Sequence, residues 1–227
     1  MKFIVIEGLD GAGKSTQVEM LKKWFETKGK KIKYLHFPRM QAPYYGEMIA
    51  RFLRGDFGKL SDVDPYLVAL LYAGDRRDAS PQIKQWLNEG YYVIVDRYVY
   101  SNIAYQCAKL DKENDKNQLK NWILNLEYEH NKIIKPDVSL FLNVPFSFTQ
   151  KSLSSSRKGE DRNYLKGKSD IHEADLKFQE NVRNVYLDLL QTQKDFININ
   201  CASNNGEMLD KDSIFEQITT NINSLLA

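Results

Sequence analysis

The sequence predicts an α/β fold: a five-stranded parallel sheet flanked by helices on both faces, with a basic flap over the ligand site. Three observations carry that prediction. Short, nearly continuous apolar runs alternate with helical patterns, as a parallel sheet covered on both faces requires. The first of these runs ends in a Gly-rich loop that opens a helix. No linker, repeat or low-complexity tract divides the series, so residues 1–227 are expected to form one domain. With 42% hydrophobic and 27% charged residues, the chain has the composition of an ordinary globular core.

The elements follow in order. Residues 2–6 read as the first strand, and Gly8 to Gly13 as a turn. Val18, Leu21, Trp24 and Phe25 then recur at helical spacing up to Gly29, a C-terminal stop. Lys33 to Phe37 is the second strand, ended by Pro38. Met48, Ile49, Phe52 and Leu53 mark a helix, and Tyr66 to Tyr72 and Ile83/Trp86/Leu87 mark two more helical patterns. Tyr91 to Val95 is the third strand. The 111–134 stretch, with Trp122, Leu126 and Tyr128, reads as a turn and an amphipathic helix without visible chemistry. Val138 to Leu142 and Phe196 to Ile199 are the fourth and fifth strands. Phe178, Val182, Tyr186 and Leu189 mark the helix between them. Ile214, Ile218, Ile222 and Leu225 mark the last one.

Residues 154–168 stand apart. Three serines, two glycines, five Lys/Arg and two acids suit a mobile basic flap better than a core element.

Several function classes are excluded by composition. No apolar run approaches the ~18 residues of a membrane span, and Glu7 interrupts the first one after four residues, against a secretory signal. Charge is nearly balanced, 32 Lys+Arg against 30 Asp+Glu, so bulk attraction to nucleic acid is not indicated. Cys107 and Cys201 offer neither a disulfide framework nor a CxxC metal pair, and a cytoplasmic setting is expected. His36, His130 and His172 show no ligand spacing and are expected to be structural or exposed.

Gly8-Leu9-Asp10-Gly11-Ala12-Gly13-Lys14-Ser15 fits GxxxxGK[ST] without a mismatch, between a buried strand and a helix. Glycines let backbone N–H groups converge on phosphate oxygens. The helix N-terminus adds partial positive charge, Lys14 adds a full one, and Ser15 can ligate Mg²⁺. The loop and the Thr16 that follows are expected to hold ATP. A guanine reader of the form [NT]KxD is missing, since Asn131-Lys132-Ile133-Ile134 lacks the Asp and Thr192-Gln193-Lys194-Asp195 lacks the Lys. A GTPase switch is not expected.

Val93-Ile94-Val95-Asp96-Arg97 places a carboxylate and a guanidinium at the carboxyl end of a buried strand, where ligands bind in open parallel sheets. Asp96 suits Mg²⁺ and Arg97 suits a phosphate. Tyr72 and Arg76 lie four apart on one helical face, where a ring can stack on a base and a guanidinium can bond its edge.

Taken in order, these motifs resemble the thymidylate kinase family. The likeness runs through the phosphate loop with Asp10 inside it, Phe37-Pro38-Arg39, and Tyr72-Ala73-Gly74-Asp75-Arg76. It continues through Asp96-Arg97-Tyr98-Val99-Tyr100-Ser101-Asn102, Tyr105-Gln106, Lys135-Pro136-Asp137 and Asp170-x-x-Glu173. The resemblance implies a nucleoside monophosphate kinase fold that makes dTDP from dTMP and ATP with Mg²⁺. It implies that Asp10 bonds the sugar 3′-hydroxyl, that Arg39 and Arg97 hold the dTMP phosphate, and that Phe37 lines that pocket. Tyr72 would stack on thymine, Arg76 reach its O4, and Asn102 with Gln106 complete the base edge. Tyr105 would close the sugar face against a ribose. Gly11 stands where some members carry an arginine, which implies a flap arginine instead: Arg157, favoured over Lys158 and Arg162. A symmetric homodimer is also implied.

Two alternatives stay open on the residues alone. Another nucleoside or nucleotide kinase would share the loop, with Asp96 as base for a neutral hydroxyl. A slow P-loop switch would need partner surfaces and switch loops. The loop Cys201-Ala202-Ser203-Asn204-Asn205 is the expected adenine contact.

Overall fold

The computed structural model describes residues 2–154 and 160–226, apart from the side chains of 160–162 and 224–226. Its strands are β1 (Phe3–Glu7), β2 (Ile32–His36), β3 (Tyr92–Asp96), β4 (Val138–Asn143) and β5 (Phe196–Asn200). They pair in the order β2-β3-β1-β4-β5, and all the pairings are parallel. β1 and β3 are buried along their whole lengths, whereas β2 at one edge is half-exposed. The continuous Val/Ile runs of the inner strands follow from helices covering both faces.

The helices are α1 (Lys14–Thr27), α2 (Tyr45–Leu53), α3 (Pro65–Asn88), α4 (Val99–Cys107), α5 (Glu113–Leu124), α6 (Phe146–Ser154), α7 (Leu176–Thr192) and α8 (Lys211–Leu226). One difference from the sequence reading concerns α3. The Tyr66–Tyr72 and Ile83–Leu87 patterns belong to a single helix of 24 residues with Pro81 inside it. The apolar pattern lapses between them because the buried face there is Ala73, Gly74, Asp75, Arg76 and Ala79. Asp64 starts the helix by accepting from the Tyr66 N–H, and Pro65 takes the first helical position.

The main core packs Phe3, Val5, Val18, Leu21, Phe25, Val95, Phe141, Val182, Tyr186 and Ile218 around the sheet. A smaller cluster of Ile49, Phe52, Leu53 and Val68 joins α2 to α3, and Tyr164 and Ile171 pack on it. The 154–168 segment therefore divides. Arg157 and Lys158 lie outside the described residues, but Glu160–Leu165 forms a 3₁₀ turn whose Leu165 is buried. Arg54 donates to the Tyr164 carbonyl at 2.7 Å and ties this turn down. Among the described residues no helix is long and apolar enough to cross a membrane.

The register decides where chemistry can occur. Ile6 of β1 is aligned with Asp96 of β3, and the Arg97 N–H donates to the Ile6 carbonyl. The loop after β1 and the residues after β3 thus leave the sheet side by side.

Candidate active site

A cleft of about 580 Å³ opens at the carboxyl ends of β1, β2 and β3. Of the residues expected at the site, Asp10, Gly11, Lys14 and Ser15 line it on the phosphate-loop side. Phe37, Arg39, Tyr72, Arg76, Asp96, Arg97, Asn102, Tyr105 and Gln106 also line it. Leu9 and Ala12 are buried beneath the loop, so only their backbone can serve a ligand. Thr16 is exposed outside the cleft lining, and the 201–205 loop also lies outside it, with Cys201 buried, Asn204 and Asn205 exposed, and Ala202 bridging to Met208. Arg157 and the Arg162 side chain lie outside the described residues.

The loop is shaped for an anion. Gly11 and Gly13 hold φ near +75° and +80°, a region that glycine reaches without the steric cost of a Cβ. Lys14 opens α1, and its Nζ donates to the Leu9 carbonyl at 2.9 Å and the Gly8 carbonyl at 3.3 Å. Burial, helped by the Arg97 charge, brings this amine down to about 8.

Across from it, Arg97 departs from extended geometry at φ +66°. Its Nη2 donates to Asp10 Oδ1 at 2.7 Å and to the Tyr105 hydroxyl at 3.2 Å, while Nη1 reaches Ser101 Oγ at 3.3 Å. Tyr105 in turn donates to Asp10 Oδ2 at 2.8 Å, and Gln179 Nε2 reaches the same oxygen at 3.0 Å. Burial opposes the Asp10 charge, but Arg97 and Lys14 outweigh it and hold this carboxyl well below the usual range.

Arg39 is similarly held: Nε donates to Asp75 Oδ1 at 2.8 Å, and Nη2 to Asp78 Oδ2 at 2.6 Å. Arg76 forks onto Glu127, with Nε and Nη2 each 2.6 Å from a carboxylate oxygen, and both side chains are fully enclosed. Glu127 corrects the reading of 111–134 as chemically silent. That stretch ends in a π-helical turn, Asn125–His130, which carries the carboxylate inward against the cleft arginine.

The histidines are exposed or structural, as expected: His130 is exposed, and His36 is exposed at the border of the cleft, with Nδ1 3.3 Å from Asp96 Oδ2. His172 is buried among Tyr105, Phe178 and Phe52, also on the cleft wall. Burial and the nearby Lys109 charge keep it neutral. Asp170 accepts from the Tyr164 hydroxyl at 2.7 Å and from the His172 N–H at 2.8 Å. Its burial and the Asp10 charge push it up to about 7. Of this group, only Asp170 carried a signal in the sequence, as the first residue of its DxxE pattern.

Asp96 sits at 3% exposure with Oδ1 lacking a partner. Burial opposes its charge, but Lys14 and the His36 hydrogen bond keep the carboxyl lowered. A buried, ionised and half-satisfied carboxylate that shares the cleft lining with Ser15 is a donor set suited to a hard divalent cation.

Residues 6–212 match the family model described as thymidylate kinase. A thymidylate kinase of Mycobacterium tuberculosis is 35% identical over 188 residues, covering 82% of this chain and 84% of that protein. A probable thymidylate kinase of Thermococcus kodakarensis is 33% identical over 231 residues, covering 99% and 98%. The solved structure of a thymidylate kinase from Candida albicans matches with a TM-score of 0.72 and 28% identity. That match covers 98% of this chain and 91% of the other.

Proposed function

The chain belongs to the thymidylate kinase family, and we propose that it transfers the γ-phosphoryl of ATP to the 5′-phosphate of dTMP, giving dTDP and ADP. The observation that carries this reading is the placement of Arg97. It stands between the phosphate loop and the base-facing wall, so that donor cradle and acceptor pocket share one cleft.

The acceptor is a phosphate monoester, already anionic near neutral pH, so no base is needed to make a nucleophile. The obstacle is charge. Two unit charges 4 Å apart repel by about 4 kcal/mol at an effective dielectric of 20, and several such pairs meet here. Lys14 faces the donor phosphates, and Arg97 with Arg39 faces the acceptor phosphate. A flap arginine, Arg157 or Arg162, completes the set. Catalysis then comes from in-line positioning and fixed cations rather than from covalent chemistry.

Ser15 and Asp96 would hold Mg²⁺, which when bound would neutralise phosphate charge. Among the described residues no group of three or more His, Cys, Asp or Glu side chains is gathered for a metal. Mg²⁺ usually takes only one or two protein oxygens together with phosphates.

On the acceptor side Tyr72 stacks on thymine, Arg76 bonds O4, Asn102 and Gln106 meet the rest of the base edge, Asp10 takes the 3′-hydroxyl, and Tyr105 bars a ribose. Leu67 and Leu70 on α3 are more than 45% exposed, and with Trp122 they suit a symmetric homodimer face. Two buried free thiols suit a cytoplasmic setting.

An ADP-release assay tests the reading. ADP should form with dTMP but not with thymidine, and only slowly without acceptor. Equal rates with thymidine would point instead to a nucleoside kinase that uses Asp96 as base. Rapid hydrolysis with no acceptor would point to a nucleotide switch.

A further inference from the structure

Glu127 is not a cleft-lining residue, yet it holds two that are. Its Oε2 accepts from Arg76 Nε, and its Oε1 accepts from both Arg76 Nη2, at 2.6 Å, and Asn102 Nδ2, at 3.0 Å. Asn102 Nδ2 also donates to the Ala69 carbonyl at 3.1 Å. With acceptors on both partners of Nδ2, the amide is fixed in one orientation, since a flipped Asn102 would set its oxygen against a carboxylate. Its Oδ1 is consequently left without a partner. Arg76 spends Nε and one N–H of Nη2 on Glu127, so Nη1 and the second N–H of Nη2 are what remain for the cleft that Arg76 lines. All three side chains are at most 2% exposed, which shields this arrangement from competing water.

We infer that Glu127 is a positioning residue that fixes the hydrogen-bond polarity of the base reader. It orients the Arg76 donors and leaves Asn102 with its Oδ1 as acceptor, and so selects 4-oxo over 4-amino pyrimidines. The inference rests on the dTMP reading above. Thymine offers an acceptor at O4 beside a donor at N3–H, which is the complement of this pair. Cytosine offers a donor amino group beside an acceptor N3, so both contacts would be reversed. A site whose buried groups are left unpaired by the wrong edge discriminates far more strongly than one that measures size. Glu127 accomplishes this from outside the cleft, through charge and geometry, with the π-helical turn delivering its carboxylate.

The test compares wild type, Glu127→Gln and Glu127→Asp with dTMP and dCMP. It uses steady-state kinetics and calorimetric nucleotide binding, with thermal melting as the fold control. Glutamine supplies an N–H donor where the carboxylate had only acceptors, so one arm of the fork is lost and Asn102 is free to turn. Glu127→Gln should raise KM for dTMP about tenfold, with kcat within a few-fold of wild type, and lower the dTMP:dCMP preference about tenfold or more. Glu127→Asp keeps the acceptors one methylene short. It should keep the 4-oxo preference while raising KM for dTMP.

A purely structural Glu127 would shift dTMP and dCMP together. An unchanged preference in a folded Glu127→Gln protein overturns the inference while leaving dTMP phosphorylation intact. If that variant does not fold, the aspartate variant decides, and an unchanged KM for dTMP overturns it. Wild type with no affinity for dTMP would give a different signature and overturn both this inference and the reading beneath it.

Discussion

Arg97 and Asp10 form a 2.7 Å ion pair across the mouth of the cleft, although 87 residues separate them. The pair exists because β1 and β3 are neighbours, so the loop after one strand meets the residue after the other. Each side chain is mostly withdrawn from solvent, 10% exposed for Arg97 and 21% for Asp10. The guanidinium is therefore already desolvated and oriented before any phosphate arrives, which is the condition under which fixed charge contributes most.

Replacing Arg97 by alanine should lower kcat/KM for dTMP by about three orders of magnitude. ATP binding measured alone by calorimetry should change by only a few-fold, because Lys14 and the loop backbone remain. Near-normal turnover in that variant would remove Arg97 from the reaction.

Lys14 predicts a proton linkage. Its amine titrates near 8 in the free protein because it is buried beside Arg97. Bound phosphates favour the charged form, so ATP binding above that pH should take up protons, approaching about one per site near pH 9. Calorimetry in buffers of different ionisation enthalpy measures this directly. Binding without net uptake at pH 9 would mean that the amine is already fully charged in the free protein.

The sheet was legible because its strands are short apolar runs, a signal that survives in any local window. The phosphate loop and Asp96-Arg97 were legible for a related reason, since each joins a recognisable residue type to a strand end. What escaped was long-range. Glu127 meets Arg76 across 51 positions, and a carboxylate inside a polar helical stretch carries no local sign of burial. His172 owes its surroundings to Phe52, Tyr105 and Phe178, which come from α2, α4 and α7. The unity of α3 was hidden because it buries charged Asp75 and Arg76 where an ordinary helix buries leucine.

Asp170 makes stability pH-dependent with a definite sign. Burial and the Asp10 charge raise its folded pKa from 3.8 to about 7, so the folded protein keeps the proton that the unfolded chain releases. This favours folding below pH 4, and the advantage is lost as pH rises from 4 through 7. Asp170→Asn carries no such charge. Relative to wild type it should gain stability across that window, by up to ~4 kcal/mol. Melting curves at pH 5 and pH 8 measure the gain, and a difference between the two proteins that is the same at both would place the Asp170 pKa near normal.

Acceptor selectivity separates two sizes of effect. The thymine methyl contributes ~1 kcal/mol of burial, so dUMP should be a substrate with kcat/KM roughly fivefold to tenfold lower. On the proposed binding mode a ribose 2′-hydroxyl would meet Tyr105, whose own hydroxyl is held by Asp10 and Arg97. Ribosyl TMP should therefore lose more than dUMP does. Comparable rates for ribosyl TMP and dTMP would disprove the role of Tyr105.

Gly74 offers a packing test within α3. In a helix interior, alanine is ordinarily favoured over glycine by ~1 kcal/mol. Here a Cβ at position 74 would run into the ring of Tyr45, at the start of α2. That contact lies one residue from Asp75, which orients Arg39 through both its backbone N–H and its Nε. Gly74→Ala should thus destabilise the protein by about 1–3 kcal/mol, the usual range for overpacking, and raise KM for dTMP as α2 and Arg39 shift. The double variant Gly74→Ala/Tyr45→Ala should recover much of both losses, because the ring is what the methyl meets. If the single variant melts above wild type, Tyr45 moves aside at little cost and helix propensity decides the outcome.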